Sequence, residues 1–251
     1  VIDTDQGSIN HSDGSSLSAT ITEHTFTAPD NTTHPYKVAT FTADEINIGA
    51  SVIVTIQGDA ALSLRTRNHG DITMGTDLIA DGSNGINDTT GGPGVAGGWS
   101  GGPRRVDGQG PGKGKLNVLN EDGGGGGYGG AGASSSATHG QPYGDTAITD
   151  LIGGSGGGGG QNRSAGAGGG AIELLADGTG VITIASGAKI SVNGGDTSTN
   201  NDKGGGGGSG GSIRLEAGSI INNGSLEARG EDDVTDLAGG GGRIALITNG
   251  N

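Results

Sequence analysis

Two stretches of the chain share one pattern: GAGGGAIELLA at residues 166–176 and GGGGGSGGSIRLEA at residues 204–217. In both, a run of glycines leads into a short segment in which isoleucine and leucine alternate with other residues. Alternation with a period of two is typical of a β-strand that has one buried face. The two stretches therefore predict strands that begin where a glycine run ends.

The same unit recurs through the second half of the chain and once earlier, at residues 61–80. Each such strand is followed by a turn and another short apolar segment at a spacing of roughly 7 to 10 residues, which is typical of β-helix rungs. The pattern predicts an all-β fold, either a parallel β-solenoid (β-helix) or a closely related sandwich of short strands. The predicted inward pairs are Ile172/Leu174, Ile182/Ile184, Ile190/Val192, Ile213/Leu215 and Ile244/Leu246, whereas Glu173, Thr183, Ser191, Arg214 and Ala245 are predicted to face outward.

The first 35 residues differ from the rest because they are rich in serine and threonine and poor in glycine. Leu17, Ala19 and Ile21 alternate in them, so residues 1–35 are predicted to be an N-terminal arm or an edge strand. Residues 36–251 are predicted to be a single glycine-rich β-solenoid domain with a long insertion at about residues 82–170. Further strands are predicted at residues 37–41, 45–48, 52–56, 62–66, 71–74 and 115–119, with an apolar patch at residues 147–152.

Glycine accounts for 60 of the 251 residues, and much of it lies in nearly pure runs. Because glycine buries no side chain and loses the most backbone freedom on folding, such runs are either disordered linkers or close-packed backbone held by hydrogen bonds. A structureless insertion of this length is uncommon in a compact domain. Glycine can instead form threefold extended helices, resembling polyproline II, whose N–H and C=O groups point outward to neighbouring helices. We therefore predict packed polyglycine II helices at residues 123–127, 156–160, 166–170, 204–208 and 239–242.

The composition limits both the core and the partners. Hydrophobic residues make up 29% of the chain and aromatic residues 2%, so the core must be thin and built by repetition along an axis. A net charge of −14 argues against binding to nucleic acid or to an anionic membrane surface. No apolar run is long enough to span a bilayer, which predicts no membrane insertion. The chain has no cysteine, which excludes disulfides and thiolate metal sites.

These alternating strands and polyglycine runs resemble those of the glycine-rich secreted β-solenoid proteins of bacteria. The resemblance covers residues 45–251 and is carried by the units 170–176 and 211–217 with their glycine runs. The runs are also similar to the polyglycine II bundles in the tail-tip adhesins of T-even-like phages. The resemblance implies an extracellular or cell-surface protein with a structural or adhesive role.

Few residues suggest a chemical site. Acidic residues cluster at Asp232, Asp233 and Asp236, and calcium is the one cofactor that such a turn admits; solvated turn residues are the alternative. Histidines are not paired at metal-ligand spacing, and no serine, histidine and aspartate arrangement can be defended. Paired carboxylates or basic residues on one strand face, as a polysaccharide-cleaving enzyme would need, are not evident either. The sequence therefore predicts a protein that is not an enzyme.

The most direct functional hypothesis is a subunit of a surface fibre that assembles head to tail with copies of itself. Strand edges at the end of a solenoid favour pairing with another copy. Residues 1–30 are predicted to donate a strand to the next copy. The assembly candidates are Leu17, Ala19 and Ile21 at one end and Ile244 and Leu246 at the other.

The alternative hypothesis is a non-enzymatic adhesin or phage-type receptor-binding module. Its candidate contacts are Trp99, Tyr128 and Tyr143, almost the only aromatic residues near the glycine runs. Their partner would be a surface glycan or a surface protein.

Overall fold

The computed structural model describes residues 1–87, 89–116, 122–134, 139–197, 204–231 and 237–249. These residues form an all-β protein without a helix, and most of the strands pair in parallel, which confirms the predicted class. The strands are β1 (Ile2–Asp3), β2 (Ser8–Asn10), β3 (Ser16–Ser18), β4 (Thr20–Thr27), β5 (Thr33–Ala43), β6 (Ile46–Ile48), β7 (Ile56–Gln57), β8 (Ala61–Thr66), β9 (Ile72–Met74), β10 (Leu78–Ile79), β11 (Ala171–Leu175), β12 (Val181–Ile184), β13 (Lys189–Ser191), β14 (Ser212–Ala217), β15 (Ser219–Asn222), β16 (Ser225–Glu227) and β17 (Arg243–Thr248).

The chain passes through three sheets in the same order again and again. The first is six-stranded, in the order β17-β14-β11-β8-β5-β4; the second is β15-β12-β9-β6, and the third is β10-β13-β16. Three consecutive triplets, β8–β10, β11–β13 and β14–β16, therefore lie one above the other in register. A fourth sheet, β3-β2-β1-β7, lies at the N-terminal end.

Aliphatic side chains form columns between the sheets because the parallel register aligns equivalent residues. Leu62, Ile172 and Ile213 lie side by side in the six-stranded sheet, and Leu64, Leu174 and Leu215 form the next column. Burial of each such side chain contributes about 2 kcal/mol. The predicted inward residues Ile172, Leu174, Ile182, Ile184, Ile190, Val192, Ile213 and Leu215 are all fully enclosed.

Every long glycine segment leaves the strand stack at the same corner. The segments follow β10, β13 and β16 and return the chain to β11, β14 and β17. They therefore collect on one side of the sheets, where residues 151–160 form the enclosed centre.

Backbone hydrogen bonds join the glycine segments to one another with a period of three residues. Segment 204–211 donates to three neighbouring segments in rotation, so that residues three apart bond to the same neighbour. The N–H to C=O pairs are Gly206 to Gly158 (2.8 Å), Ser209 to Ser155 (3.0 Å), Gly207 to Leu237 (2.9 Å), Gly210 to Gly240 (3.0 Å), Gly208 to Gly195 (2.9 Å) and Gly211 to Val192 (2.8 Å).

The glycine segments that follow β10, β13 and β16 together form what we call the glycine bundle. Close approach of the backbones is what requires glycine in this bundle. A Cβ added at Gly208 would overlap the carbonyl oxygen of Ala167, and one at Gly239 would overlap that of Gly208. None of the described positive-φ glycines lies in the runs at residues 123–127, 156–160, 166–170, 204–208 or 239–242, so a left-handed backbone is not the reason in these runs. Side chains are excluded because neighbouring segments occupy the space.

A second layer covers part of the outer face of the six-stranded sheet. Ile148 and Leu151, from the apolar patch predicted at residues 147–152, pack there with Val38 and Ala245. The carboxylate of Asp150 accepts a hydrogen bond of 2.9 Å from the Tyr36 hydroxyl. This layer links the long insertion to the sheet.

Several sequence predictions differ from the structure. Of the two alternatives for the N-terminal residues, a free arm does not fit, because β4 pairs antiparallel with β5 and β1 pairs with β7; β3 and β4 are edge strands of their sheets. The strand predicted around Leu17, Ala19 and Ile21 is divided between β3 and β4. Of the strand predicted at residues 115–119, only a bridge from Leu116 to Gly123 is seen, and residues 117–119 lie outside the described part.

A pair of alanine substitutions tests the close packing. Gly208→Ala should lower the free energy of unfolding by about 3 kcal/mol because the added methyl group forces two hydrogen-bonded segments apart. Gly241→Ala is the matched control, since a Cβ there meets no atom within 4 Å, and should change stability by less than about 1 kcal/mol. Denaturant unfolding measures the free energy of unfolding of both variants. Equal losses of stability in the two variants would contradict the packed bundle.

Candidate functional site

The C-terminal end of the strand stack exposes core-facing side chains. Ile244 and Leu246 of β17 lie beside Ile213 and Leu215 in register, so they continue the two buried columns. They are nevertheless 42% and 53% exposed, because no described strand covers β17. These two assembly candidates thus have the predicted inward orientation but are not enclosed as the other inward pairs are.

The N-terminal end is also apolar. A groove of about 830 Å³ lies there between β1, β2, β6 and the segment around Ile53, with Leu17 and Ile9 in its lining. Leu17 and Ala19 pack half-buried against the core, and Ile21 is 37% exposed. The predicted donated strand is thus already used within its own chain, and β3 and β4 are edge strands of their sheets.

The three predicted adhesion residues do not share a surface. Tyr128 and Tyr143 pack against each other at 4.7 Å between ring centroids and are 1% and 3% exposed. The Tyr143 hydroxyl donates to the carbonyl of Gly153 at 2.6 Å and accepts from the Ser155 hydroxyl at 3.0 Å. The two tyrosines therefore belong to the interior, and only Trp99 is open to a ligand.

Trp99 lines a groove of about 600 Å³ between the glycine bundle and the β4–β5 hairpin. Its backbone N–H donates to Gly154 (3.0 Å) and its carbonyl accepts from Gly168 (2.8 Å). Its ring meets His34 edge-on at 5.7 Å between centroids. The bundle thus fixes the position of this side chain.

The opposite wall of the groove includes His24 and Tyr36, whose rings are stacked at 5.2 Å between centroids. The remaining polar lining includes Asp5, Glu23, Lys37, Asp59 and Gln109.

A charged ladder crosses the outer face of the six-stranded sheet. Glu173 is 4% exposed, and its carboxylate contacts Arg65 and Arg214, each at 2.7 Å, and the Ser63 hydroxyl at 2.6 Å. Arg214 also pairs with Glu216. Glu173 was predicted to face outward, and it does alternate with the core residues, but the two arginines enclose it. All three partners of the Glu173 carboxylate are side chains of neighbouring strands of the same sheet, so the ladder stabilises strand pairing.

Sequence reasoning missed this ladder and most of the groove. The ladder had a signal, because aligning the repeats places Ser63, Glu173 and Arg214 at equivalent positions. The groove had none, since its walls come from residues far apart in the chain that meet only through the bundle.

The three metal candidates stay a prediction from the sequence. Asp232, Asp233 and Asp236 lie outside the described residues. Among those described, no group of three or more histidine and carboxylate side chains could hold a metal ion. Hydrogen bonds from the Ser15 hydroxyl and amide lower the pKa of Asp13 to about 2, which fits a turn carboxylate.

Comparison with protein-family models, with curated proteins and with solved structures found no match to this chain. In the described residues, no helix is long and apolar enough to cross a membrane.

The tyrosines give a pH prediction, because burial raises the pKa of all three above the usual value near 10. That of Tyr128 rises to about 12. The unfolded chain then loses its phenolic protons first, so stability is unaffected below pH ~10 and falls as the pH rises from there through the folded pKa values. Tyrosinate absorbance should appear only together with unfolding, followed by circular dichroism. Titration of Tyr128 and Tyr143 near pH 10 while the protein is still folded would contradict their burial.

Removing the Glu173 carboxylate tests the ladder. Glu173→Ala should cost about 3 kcal/mol of unfolding free energy, because it removes the buried carboxylate that Arg65 and Arg214 share and leaves Arg214 only its contact with Glu216. The matched control is Glu23→Ala, whose carboxylate pairs with Lys37 at 3.4 Å in solvent, and it should cost less than about 1 kcal/mol. Denaturant unfolding distinguishes them, and a Glu173→Ala protein as stable as the control would refute the role given to the ladder.

Proposed function

We propose that the protein is an extracellular structural subunit that assembles head to tail with its own copies into a fibre. The observation that carries the proposal is the open column end at β17, where Ile244 and Leu246 continue the core but face solvent. A second copy placed over this end would bury both side chains and pair the edge of β17.

The proposed architecture is a parallel β-solenoid with an attached bundle of polyglycine II helices. The repeated passage through three sheets in one order supports the solenoid. The three-residue rotation of hydrogen bonds supports the polyglycine II conformation, which has three residues per turn. Such a rod grows along one axis, and its ends are the natural places for assembly.

The second copy would present its N-terminal end. That end carries the apolar groove around Ile53 and the edge strand β4, which runs antiparallel to β5. Because β17 is parallel to β5 through β8, β11 and β14, coaxial stacking would join β17 to β4 of the next copy as an antiparallel pair. Both ends thus offer apolar side chains and a strand edge.

Charge favours end-to-end over lateral contacts. A net charge of −14 repels the flanks of neighbouring rods, whereas the ends expose aliphatic groups. An extracellular location is compatible with a chain that has no cysteine and needs no disulfide to close its fold.

A non-enzymatic adhesin is the second candidate function. It is favoured by the groove beside Trp99, which combines aromatic rings with carboxylates and is held by the rigid bundle. The two functions are compatible, because the bundle lies to one side of the strand stack.

Charged substitutions at the open end test the fibre. Wild-type protein should form filaments under the electron microscope, and Leu246→Glu should yield separate particles, because each junction would bury an unpaired carboxylate. Ile79→Glu is the matched control: Ile79 is 42% exposed, like Ile244, but is an outward residue of β10, so filaments should persist.

Two outcomes would reject this assembly. One is wild-type protein that sediments as a monomer at every concentration tested. The other is Leu246→Glu protein that forms filaments as long as those of the wild type.

A further inference from the structure

The groove beside Trp99 has the size and composition of a ligand site. Its volume of about 600 Å³ lies within the range of small-molecule sites, about 300–1,000 Å³. It has three walls: the hairpin side with His24 and Tyr36, the bundle side with Trp99 and Gln109, and the turn residues Asp5 and Asp59. Residues far apart in the sequence thus converge on one concave surface.

The walls of the groove are held in place before any ligand arrives. On the bundle side, the backbone of Trp99 is hydrogen-bonded on both sides to glycine segments. On the hairpin side, the hydroxyl of Tyr36 is anchored to Asp150 at 2.9 Å, and the Tyr36 ring stacks on His24. A rigid site loses little conformational entropy on binding, which increases affinity.

The lining favours a ring that has one apolar face and a polar rim. The C–H bonds on the face of a pyranose carry partial positive charge and pack against the negative face of an aromatic ring. The carboxylates of Asp5, Glu23 and Asp59 can accept hydrogen bonds from hydroxyl groups at the rim, and the Gln109 amide can donate and accept. Lys37 supplies the one ammonium group of the lining against these three carboxylates, so uronic acids and sulfated sugars are repelled.

We infer that this groove binds a neutral sugar unit of a polysaccharide. The inference deepens the adhesin candidate and does not depend on head-to-tail assembly, since none of its arguments uses β17. It assigns the recognition to Trp99, Tyr36, His24, Asp59 and Gln109 and leaves Tyr128 and Tyr143 to the interior.

Trp99 is the single tryptophan of the chain, so its fluorescence reports directly on the groove. The protein is titrated with neutral oligosaccharides: β-1,4-glucan, β-1,3-glucan, mannan and N-acetylglucosamine oligomers. Oligogalacturonate and tetralysine serve as anionic and cationic probes. At least one neutral oligosaccharide should change the emission saturably, and oligogalacturonate should not.

Two exposed positions provide variants that keep the reporter and should not disturb folding. His24→Ala and Gln109→Ala should each weaken binding by about five- to tenfold, since each removes one contact to the ring or its rim. Ile53→Ala, in the groove at the N-terminal end, is the control and should bind as the wild type does. Isothermal calorimetry with Trp99→Ala should show no binding heat.

Three results would overturn the inference. One is a tryptophan emission that does not change with any of the neutral oligosaccharides. Another is saturation by tetralysine alone, which would make the groove a site for cationic peptides. The third is neutral-sugar binding that is equal in wild type, His24→Ala and Gln109→Ala, which would locate the site elsewhere. Because the fibre is judged by microscopy and sedimentation, failure here leaves that separate test unchanged.

Discussion

The structure depends on hydrogen bonding between backbones that carry no side chains. In the glycine bundle, N–H and C=O groups of one segment are satisfied by neighbouring segments at about 2.8–3.0 Å. This replaces the apolar core that a chain with 29% hydrophobic residues cannot supply on that side. Packing and hydrogen bonding are the same interaction here, because any Cβ that separated Gly208 from Ala167 would also break the bonds around it.

The strands and the bundle stabilise each other because they are parts of the same continuous segments. The glycine runs at residues 166–170, 204–211 and 239–242 lead directly into β11, β14 and β17, so the register of these strands fixes where the three runs end. The columns of isoleucine and leucine set that register through burial, and the ladder at Glu173 adds charge pairing on the outer face. The β4–β5 hairpin and the second layer, which contains Ile148, Asp150 and Leu151, then hold the long insertion against the sheet.

Local patterns predicted the strands well because alternation and glycine boundaries are short-range signals. The units at residues 170–176 and 211–217 identified β11 and β14 and their buried residues. The pattern could not show that Tyr128 and Tyr143 are buried, because the cavity that encloses them is built by segments far along the chain. Trp99 was recognised as a candidate. His24 and Tyr36, which lie across the groove on the hairpin, were missed for the same reason. The alternation at Leu17, Ala19 and Ile21 left an arm and an edge strand open, because both share one pattern, and only the folded chain shows that residues 1–27 pair within it.

A bundle whose bonds repeat every three residues has a translational degeneracy: sliding one segment by a full turn would recreate nearly every backbone bond. Only residues other than glycine can mark the correct alignment. Ser155 and Ser209 do so, since each is hydrogen-bonded to the other, and the Ser155 hydroxyl also accepts from the amide of Gly112 at 2.9 Å. Changes in the length of a glycine run are therefore best tolerated in steps of one turn, placed on the loop side of these serine markers.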